Sequence, residues 1–380
     1  MNISCKRPQR VAVLGATGSI GRNAVAVCAA NPGRFEVVCL TCATRGNALR
    51  EYARQCGARE LYCAADAGVS TLRSEDEVNR LLASEEVDIV LCAIQGIAAL
   101  RSVMTALKAG KTVALATKEV LVGAGEWVME TARSCGGRIL PVDSEHCALF
   151  QCMQGAQRES VRRVWLTCSG GPFHNQPGID LHQVTPEQAS HHPAWNMGPK
   201  ITLDSATLMN KAFEIIEAAW LYGLSAEQIG VVIHPQAVVH SMVEYVDGAV
   251  LAQLGVTDMK LPIQYCLTWP ERIPALTAPL DFSQMMRLDF SPPDERRFPA
   301  LKLARAVLRR GGLAGAVFNA ANDAACLRFR QGTLAFDEIV PAVAAALEQT
   351  PGGEAHSFAA LDEAARVAAK AVNEYRPEYG

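Results

Sequence analysis

Arg10-Val11-Ala12-Val13-Leu14-Gly15-Ala16-Thr17-Gly18-Ser19-Ile20-Gly21 is an apolar run that opens into a glycine turn. Four residues of β-branched and aliphatic type, Val11–Leu14, read as a buried strand. Asn23 to Ala30 then reads as a helix. Strand, turn and helix with the spacing G-x-x-G-x-x-G form a dinucleotide fingerprint: the glycines let backbone N–H groups approach a pyrophosphate that rests on the helix N-terminus. Further strand-like runs at Phe35–Thr41, Ile89–Ile94, Thr112–Ala116 and Ile139–Val142 are separated by helical stretches. A parallel α/β sheet follows for residues 1–143.

The end of the second run bears on the cofactor. An NAD site places Asp or Glu there to accept from the ribose 2′-hydroxyl. Here the chain reads Cys42-Ala43-Thr44-Arg45-Gly46-Asn47, with no acid and with an arginine able to face a 2′-phosphate. NADP(H) is favoured; the plainer alternative is a solvated loop. Thr117-Lys118-Glu119 follow a strand end, where ligands sit in such sheets, although Lys118 is equally compatible with a surface position.

The last strand of this sheet runs into Asp143-Ser144-Glu145-His146. In an extended segment the two acids, at i and i+2, point to one side and offer oxygen to a hard cation. Many such triplets are solvated turns. Beyond it, Ser169-Gly170-Gly171 follows a strand at Val164–Thr167 and reads as a phosphate cradle. A long proline-rich polar segment comes next, with His174, His182, His191, His192, Trp195 and Met197, and has the character of a lid. His191 and His192 lack a third histidine at metal spacing, so anion or loop contacts are favoured. Trp195 and Met197 suit either a core or a lid. Asp204 or Ser205 would cap a helix over 206–222. On it Asn210, Lys211 and Glu214 share a face, buried beside a polar ligand or simply solvated, with the second somewhat favoured. Glu217, one turn on, is not excluded by spacing. Strands around His234 and His240 complete a second sheet that could pair between two copies.

The 380-residue chain is too long for one ordinary core. A formal net charge of −3 excludes a general nucleic-acid binder. No apolar stretch reaches membrane-spanning length. The basic Lys6, Arg7 and Arg10 precede an apolar run, but it breaks at Gly15 without a cleavage pattern. Thirteen scattered cysteines, many of them within apolar runs, fit buried thiols in a reducing cytoplasm. Prolines 270, 274, 279, 292 and 293 mark a linker over 269–294. Alanine-rich helical patterns at 300–310, 314–330, 336–350 and 361–375 make residues 295–380 a small bundle. Asn319 and Asn322 show no evident chemistry there.

These motifs, in this order, resemble the 1-deoxy-D-xylulose 5-phosphate reductoisomerase family of the non-mevalonate isoprenoid pathway, essentially end to end. The pairing of Pro141–His146 with Asp204-Ser205-Ala206-Thr207 and Asn210-Lys211 is its most specific mark. The resemblance implies an N-terminal Rossmann-like domain, a catalytic domain over 144–268 with a lid at 169–199, and a C-terminal helical domain. It implies a divalent cation (Mg²⁺, Mn²⁺ or Co²⁺) held by Asp143, Glu145 and Glu214, with Lys118 and Lys211 completing the catalytic set. The sugar phosphate would meet Lys118, Ser144, Glu145, Ser169, His192, Trp195, Ser205, Asn210, Lys211, Glu214 and His240. NADPH would lie along Thr17, Gly18, Ser19, Ile20, Arg45, Gly46, Asn47, Thr117, Glu119, Met197 and Gly198. Apart from the resemblance, a homodimer is expected from the second sheet and a cytoplasmic location from the cysteines. Thr117 departs from the family's Asn, Ala237 from a Ser and Ala194 from an Asn; the loop near Arg45 is one residue longer. Two alternatives remain open: a metal-free NADP-dependent semialdehyde dehydrogenase using Cys147 or Cys168, and a non-enzymatic NADP(H) sensor.

Overall fold

The computed structural model describes residues 7–190, 198–350 and 352–376. It divides into two compact units. The first comprises 7–117, 128–147 and 258–280. Its sheet holds six parallel strands: β1 (Gln9–Leu14), β2 (Phe35–Cys42), β3 (Glu60–Cys63), β4 (Ile89–Cys92), β5 (Thr112–Leu115) and β6 (Arg138–Pro141). Their order is β3-β2-β1-β4-β5-β6, the doubly wound dinucleotide arrangement whose crevice opens where β1 meets β4. The central residues Val11–Leu14 of β1 and all of β4 are buried on both faces, as their unbroken apolar runs require.

Asp88, just before β4, ties the start of that central strand to β1 and to the residues preceding it. Its carboxylate accepts from the Arg10 backbone at 2.9 Å and from the guanidinium groups of Arg7 and Arg10 at 3.0–3.2 Å. Burial alone would lift this carboxyl, but the arginine hydrogen bonds outweigh it and hold it at about 2. A depressed carboxyl contributes stability that is fully present above its ordinary pKa and fades as pH falls toward the folded value. The melting-temperature advantage of the wild type over Asp88→Asn should therefore shrink between pH 5 and pH 2. An advantage that held constant across that window would contradict the assignment.

The second unit comprises 118–127, 148–190, 198–257 and 281–376 except residue 351. Its four-stranded sheet is ordered β10-β9-β7-β8, from β7 (Val161–Cys168), β8 (Ile229–Ile233), β9 (Val239–Tyr245) and β10 (Val250–Leu254). Only β7 and β8 run parallel. The helix Met209–Tyr222 packs on β7 and β8, and Ala300–Arg310 packs on that helix in turn. Gly315 makes room for the chain at residue 122, since a methyl group there would overlap the Val122 carbonyl oxygen.

Several expectations differ from what is observed. Residues 295–376 do not stand apart but share the second unit, because Ala300–Arg310 buries its apolar stripe on Met209–Tyr222. The helix Lys260–Thr268 joins the first unit, packed on Ser19–Ala30 and β5. Residues 118–127 belong with the second unit. The expected helix over 206–222 is two helices, Pro199–Ala206 and Met209–Tyr222, separated where Leu208 turns left-handed at φ 58°. Asp204 and Ser205 therefore close the first helix rather than cap the second.

Candidate functional site

In the first unit, the turn after β1 takes the form the fingerprint requires. Gly15 has φ +79°, open to glycine and strained for other residues. A methyl there would overlap the Ala93 carbonyl oxygen, and one at Gly21 would overlap the Gly15 carbonyl oxygen. The strand and helix thus meet backbone to backbone. Thr41 anchors the turn through its hydroxyl to Gly15 N at 3.2 Å and its carbonyl to Ala16 N at 2.8 Å. No side chain caps the helix Ser19–Ala30 at Gly18, which leaves its first N–H groups for an anion. Arg45 sits at the start of helix Gly46–Cys56, exposed, and its guanidinium donates to the Thr17 carbonyl. That bond joins the turn to the start of the helix. Thr117 is buried, its hydroxyl turned onto the Ile94 carbonyl at 2.5 Å. That commits its proton to the main chain.

The acidic triplet is not extended. Asp143 stands directly before a helix, Ser144–Cys152, and its carbonyl accepts from Cys147 N at 2.8 Å. The helical turn replaces the alternation expected of a strand, because β6 ends at Pro141. The Ser144 hydroxyl donates to Glu145 Oε2 at 2.6 Å, and Ser144 N to Asp143 Oδ1 at 3.2 Å. Both acids remain half-buried.

In the second unit, one cluster stands out. Glu214 is fully buried and Lys211 2% exposed, so the solvated-helix alternative fails. Glu214 Oε1 accepts from Lys118 Nζ at 3.1 Å and Asn210 Nδ2 at 2.7 Å, and Oε2 from Lys211 Nζ at 2.5 Å. Lys118 Nζ also donates to Asn210 Oδ1 at 2.7 Å. Lys211 lies in the first turn of its helix, where the macrodipole disfavours a cation. Two ammonium groups thus meet one buried carboxylate, each within hydrogen-bond distance of it. Glu217 is buried one turn further on.

Ser169 follows β7 and its hydroxyl accepts from Gly171 N at 3.3 Å; Gly170 and Gly171 both have positive φ. A methyl on Gly171 would sit 2.8 Å from the Ser205 carbonyl oxygen, so the two serines stand on backbones in contact. Residues 181–190, within the expected lid, hold a short turn and the helix Pro186–Ala189 with a Thr185–Gln188 capping box, more order than the sequence led us to expect. His192, Trp195 and Met197 lie outside the described residues, as do His191 and Ala194. Gly198 is exposed and its carbonyl accepts from Thr202. Glu119 is buried, which pushes its carboxyl up against the pull of Lys200 and Lys118. His240 is buried in β9. His234 has a structural part: Nε2 accepts from Val238 N and Val239 N, and Nδ1 pairs with the Asp289 carbonyl.

Cys147 is buried and Cys168 half-buried; the twelve described cysteines are free thiols. Burial pushes Cys39 up to about 12 and Cys152 to about 11, far from nucleophilic range. Lys200, which sequence reasoning passed over, and Asn322, to which it gave no chemistry, meet Asp204 in the second unit. A polar pair inside an alanine-rich helix was the available signal.

Three family models match the chain. That of 1-deoxy-D-xylulose 5-phosphate reductoisomerase covers residues 11–125, and those of its C-terminal domains cover 139–222 and 254–371. The 1-deoxy-D-xylulose 5-phosphate reductoisomerase of Pseudomonas putida (strain W619) is 46% identical over 90% of this chain and 91% of its own. That of Cellvibrio japonicus is 44% identical over 96% and 98%. Among solved structures, the Zymomonas mobilis enzyme in complex with NADPH superposes with a TM-score of 0.88 at 39% identity, covering 97% of this chain and 100% of that one. A DOX-P reductoisomerase in complex with NADPH, fosmidomycin and magnesium gives 0.87 at 38% identity, covering 96% and 97%.

Proposed function

The chain belongs to the 1-deoxy-D-xylulose 5-phosphate reductoisomerase family, and from that premise we propose that Asp143, Glu145 and Glu214 hold its catalytic cation while Lys118 and Lys211 serve the substrate. The enzyme carries out the NADPH- and divalent-metal-dependent rearrangement and reduction of 1-deoxy-D-xylulose 5-phosphate to 2-C-methyl-D-erythritol 4-phosphate. Family membership removes the basis of the semialdehyde dehydrogenase and sensor alternatives.

The donor chemistry fits both groups. Three carboxylates are hard oxygen ligands of the kind Mg²⁺ and Mn²⁺ take, and the uncapped helix at Gly18 suits a pyrophosphate. When bound, the cation supplies Lewis acidity and NADPH supplies hydride. The observation that carries the reading is Glu214, fully buried among Lys118, Asn210 and Lys211. Those side chains orient its two oxygens before any ligand arrives. Lys118, fixed by Asn210 and Glu214, stands ready to donate to a substrate oxygen. Ser169, Ser205, Asn210 and Lys211 grip the phosphate, with the Lys211 ammonium donating a charge-assisted hydrogen bond to the dianion. Ser144 and Glu145 contact the sugar, with His192 near the phosphate and His240 near the substrate. Residues 169–199 close over it, with Trp195 and Met197 excluding water. Thr17, Gly18, Ser19, Ile20, Arg45, Gly46, Asn47, Thr117, Glu119, Met197 and Gly198 line the cofactor. Residues 1–143 serve NADPH and 144–268 the chemistry.

The chain works in the cytoplasm as a homodimer on this reading. Free buried thiols support the compartment. The edge strand β10 supports the assembly, since Val250 and Leu251 are about half exposed there. No described helix is long and apolar enough to cross a membrane.

Lys211→Ala should weaken substrate binding by roughly tenfold to a hundredfold, as loss of one charge-assisted contact does, with NADPH affinity unchanged. Titration calorimetry with each ligand checks this, and equal loss for both would sink the phosphate role. Arg45→Ala should raise the Kd for NADPH by a comparable factor, about tenfold or more, and leave that for NADH nearly unmoved. Fluorescence titration with the two cofactors distinguishes this from a general defect.

A further inference from the structure

The helix Pro199–Ala206 has eight residues, too few to hold its shape alone. Gly198 gives it no side-chain cap. It carries Ser205 beside Asp204, which is 3% exposed. Asp204 Oδ1 accepts from Asn322 Nδ2 at 2.8 Å, and Oδ2 from Lys200 Nζ at 2.6 Å. Lys200 Nζ also reaches Asp323 Oδ1 at 3.2 Å. Burial works against the Lys200 ammonium, but Asp204, Asp323 and Glu119 outweigh it and raise its pKa. Asn322 is fully buried on the helix Ala314–Arg330. A carboxylate taken out of water needs its lone pairs satisfied, so the short helix seats where these donors meet it.

That seat has consequences for its neighbour. The Ser205 carbonyl lies against Gly171, whose N–H donates to Ser169. Past Leu208 the chain enters the helix bearing Asn210 and Lys211. The direction of the short helix therefore sets where Ser205 stands relative to the other three phosphate contacts. An apolar clasp would hold the helix to the bundle without fixing its rotation, whereas a hydrogen bond is directional.

We infer that Asn322, acting through Asp204, is a positioning residue for the phosphate end of the substrate. This rests on the reading that Ser169, Ser205, Asn210 and Lys211 bind that phosphate. Asn322 touches no ligand itself. Its effect is on KM for the sugar phosphate, with the chemistry and the cofactor left alone.

Steady-state kinetics of the full-length enzyme provide the test. Asn322→Leu should raise KM for 1-deoxy-D-xylulose 5-phosphate about tenfold or more, with kcat within about threefold and NADPH affinity unchanged. Asn322→Asp should raise it further, by setting two carboxylates face to face. Adding Asp204→Asn to Asn322→Asp exchanges donor and acceptor and should bring KM back to within about threefold of wild type. A lower melting temperature with KM unmoved would mean a merely structural contact and overturn the proposal. Should Asn322→Leu fail to fold, Lys200→Met removes a second of the donors to Asp204 and must raise the same KM. Ser205→Ala separates the two layers of the argument. If it leaves KM unchanged, the phosphate reading fails and the proposal with it. If it raises KM while the Asn322 variants do not, only the positioning proposal fails.

Discussion

Replacing Glu214 by Gln is expected to cut kcat by at least about a thousandfold while leaving NADPH binding intact. The substitution keeps the side chain's volume and one acceptor oxygen, so the helix Met209–Tyr222 can stay packed. It removes the charge that Lys118 and Lys211 now share at 3.1 and 2.5 Å. Both ammonium groups are then buried beside a neutral amide, and severing a buried pair costs about 3–5 kcal/mol. Some loss of thermal stability should accompany the lost turnover. The informative contrast is with the cofactor, whose turn belongs to the other compact unit. Protein fluorescence quenched by NADPH should titrate as in the wild type. Equal loss of cofactor affinity would show that Glu214 supports the fold and not the cation.

Gly21→Ala is expected to disable the nucleotide-binding unit. The added methyl would overlap the Gly15 carbonyl oxygen and stand 2.5 Å from the Ala16 Cα. Both obstacles are main chain, so no rotamer change relieves them. Overpacking ordinarily costs about 1–3 kcal/mol, and here the upper end or beyond applies. At about 3 kcal/mol the unit's melting temperature should drop by roughly 6–12 °C. Moving the helix Ser19–Ala30 off β1 also displaces the N–H groups meant for the pyrophosphate. NADPH affinity should fall by about a hundredfold or more, consistent with losing several such bonds. Gly33→Ala is the control, because a methyl there meets nothing within 4 Å. Its melting temperature should stay close to wild type. Tight NADPH binding by Gly21→Ala would show that the turn is not a cradle.

The parallel sheet was legible because its strands are near-continuous apolar runs bounded by glycine and polar residues, and because the turn after β1 declares its purpose in three glycines. The residue types of the site were equally open to reading, being rare combinations at fixed spacing. Burial of Glu214 was not. Its helix is apolar around Phe213, Ile215 and Ile216, and nothing local says that Lys118, 96 residues away, will meet it. The break at Leu208 was hidden as well, since leucine is a good helix former and only its surroundings can hold it left-handed. Asp204 looked like a cap because acids favour that position; its true partner is 118 residues distant. The triplet at Asp143 misled for a related reason, since two acids at i and i+2 look alike in a strand and in the first turn of a helix.

The account stands on three carboxylates sharing one cation, and a Mn²⁺ titration followed by electron paramagnetic resonance reads that directly, without turnover. The wild type should take up one Mn²⁺ per chain. Asp143→Asn, Glu145→Gln and Glu214→Gln should each weaken that binding by at least about a hundredfold, as removal of a charged ligand does. Mn²⁺ bound as tightly by Glu214→Gln as by the wild type would contradict the shared site.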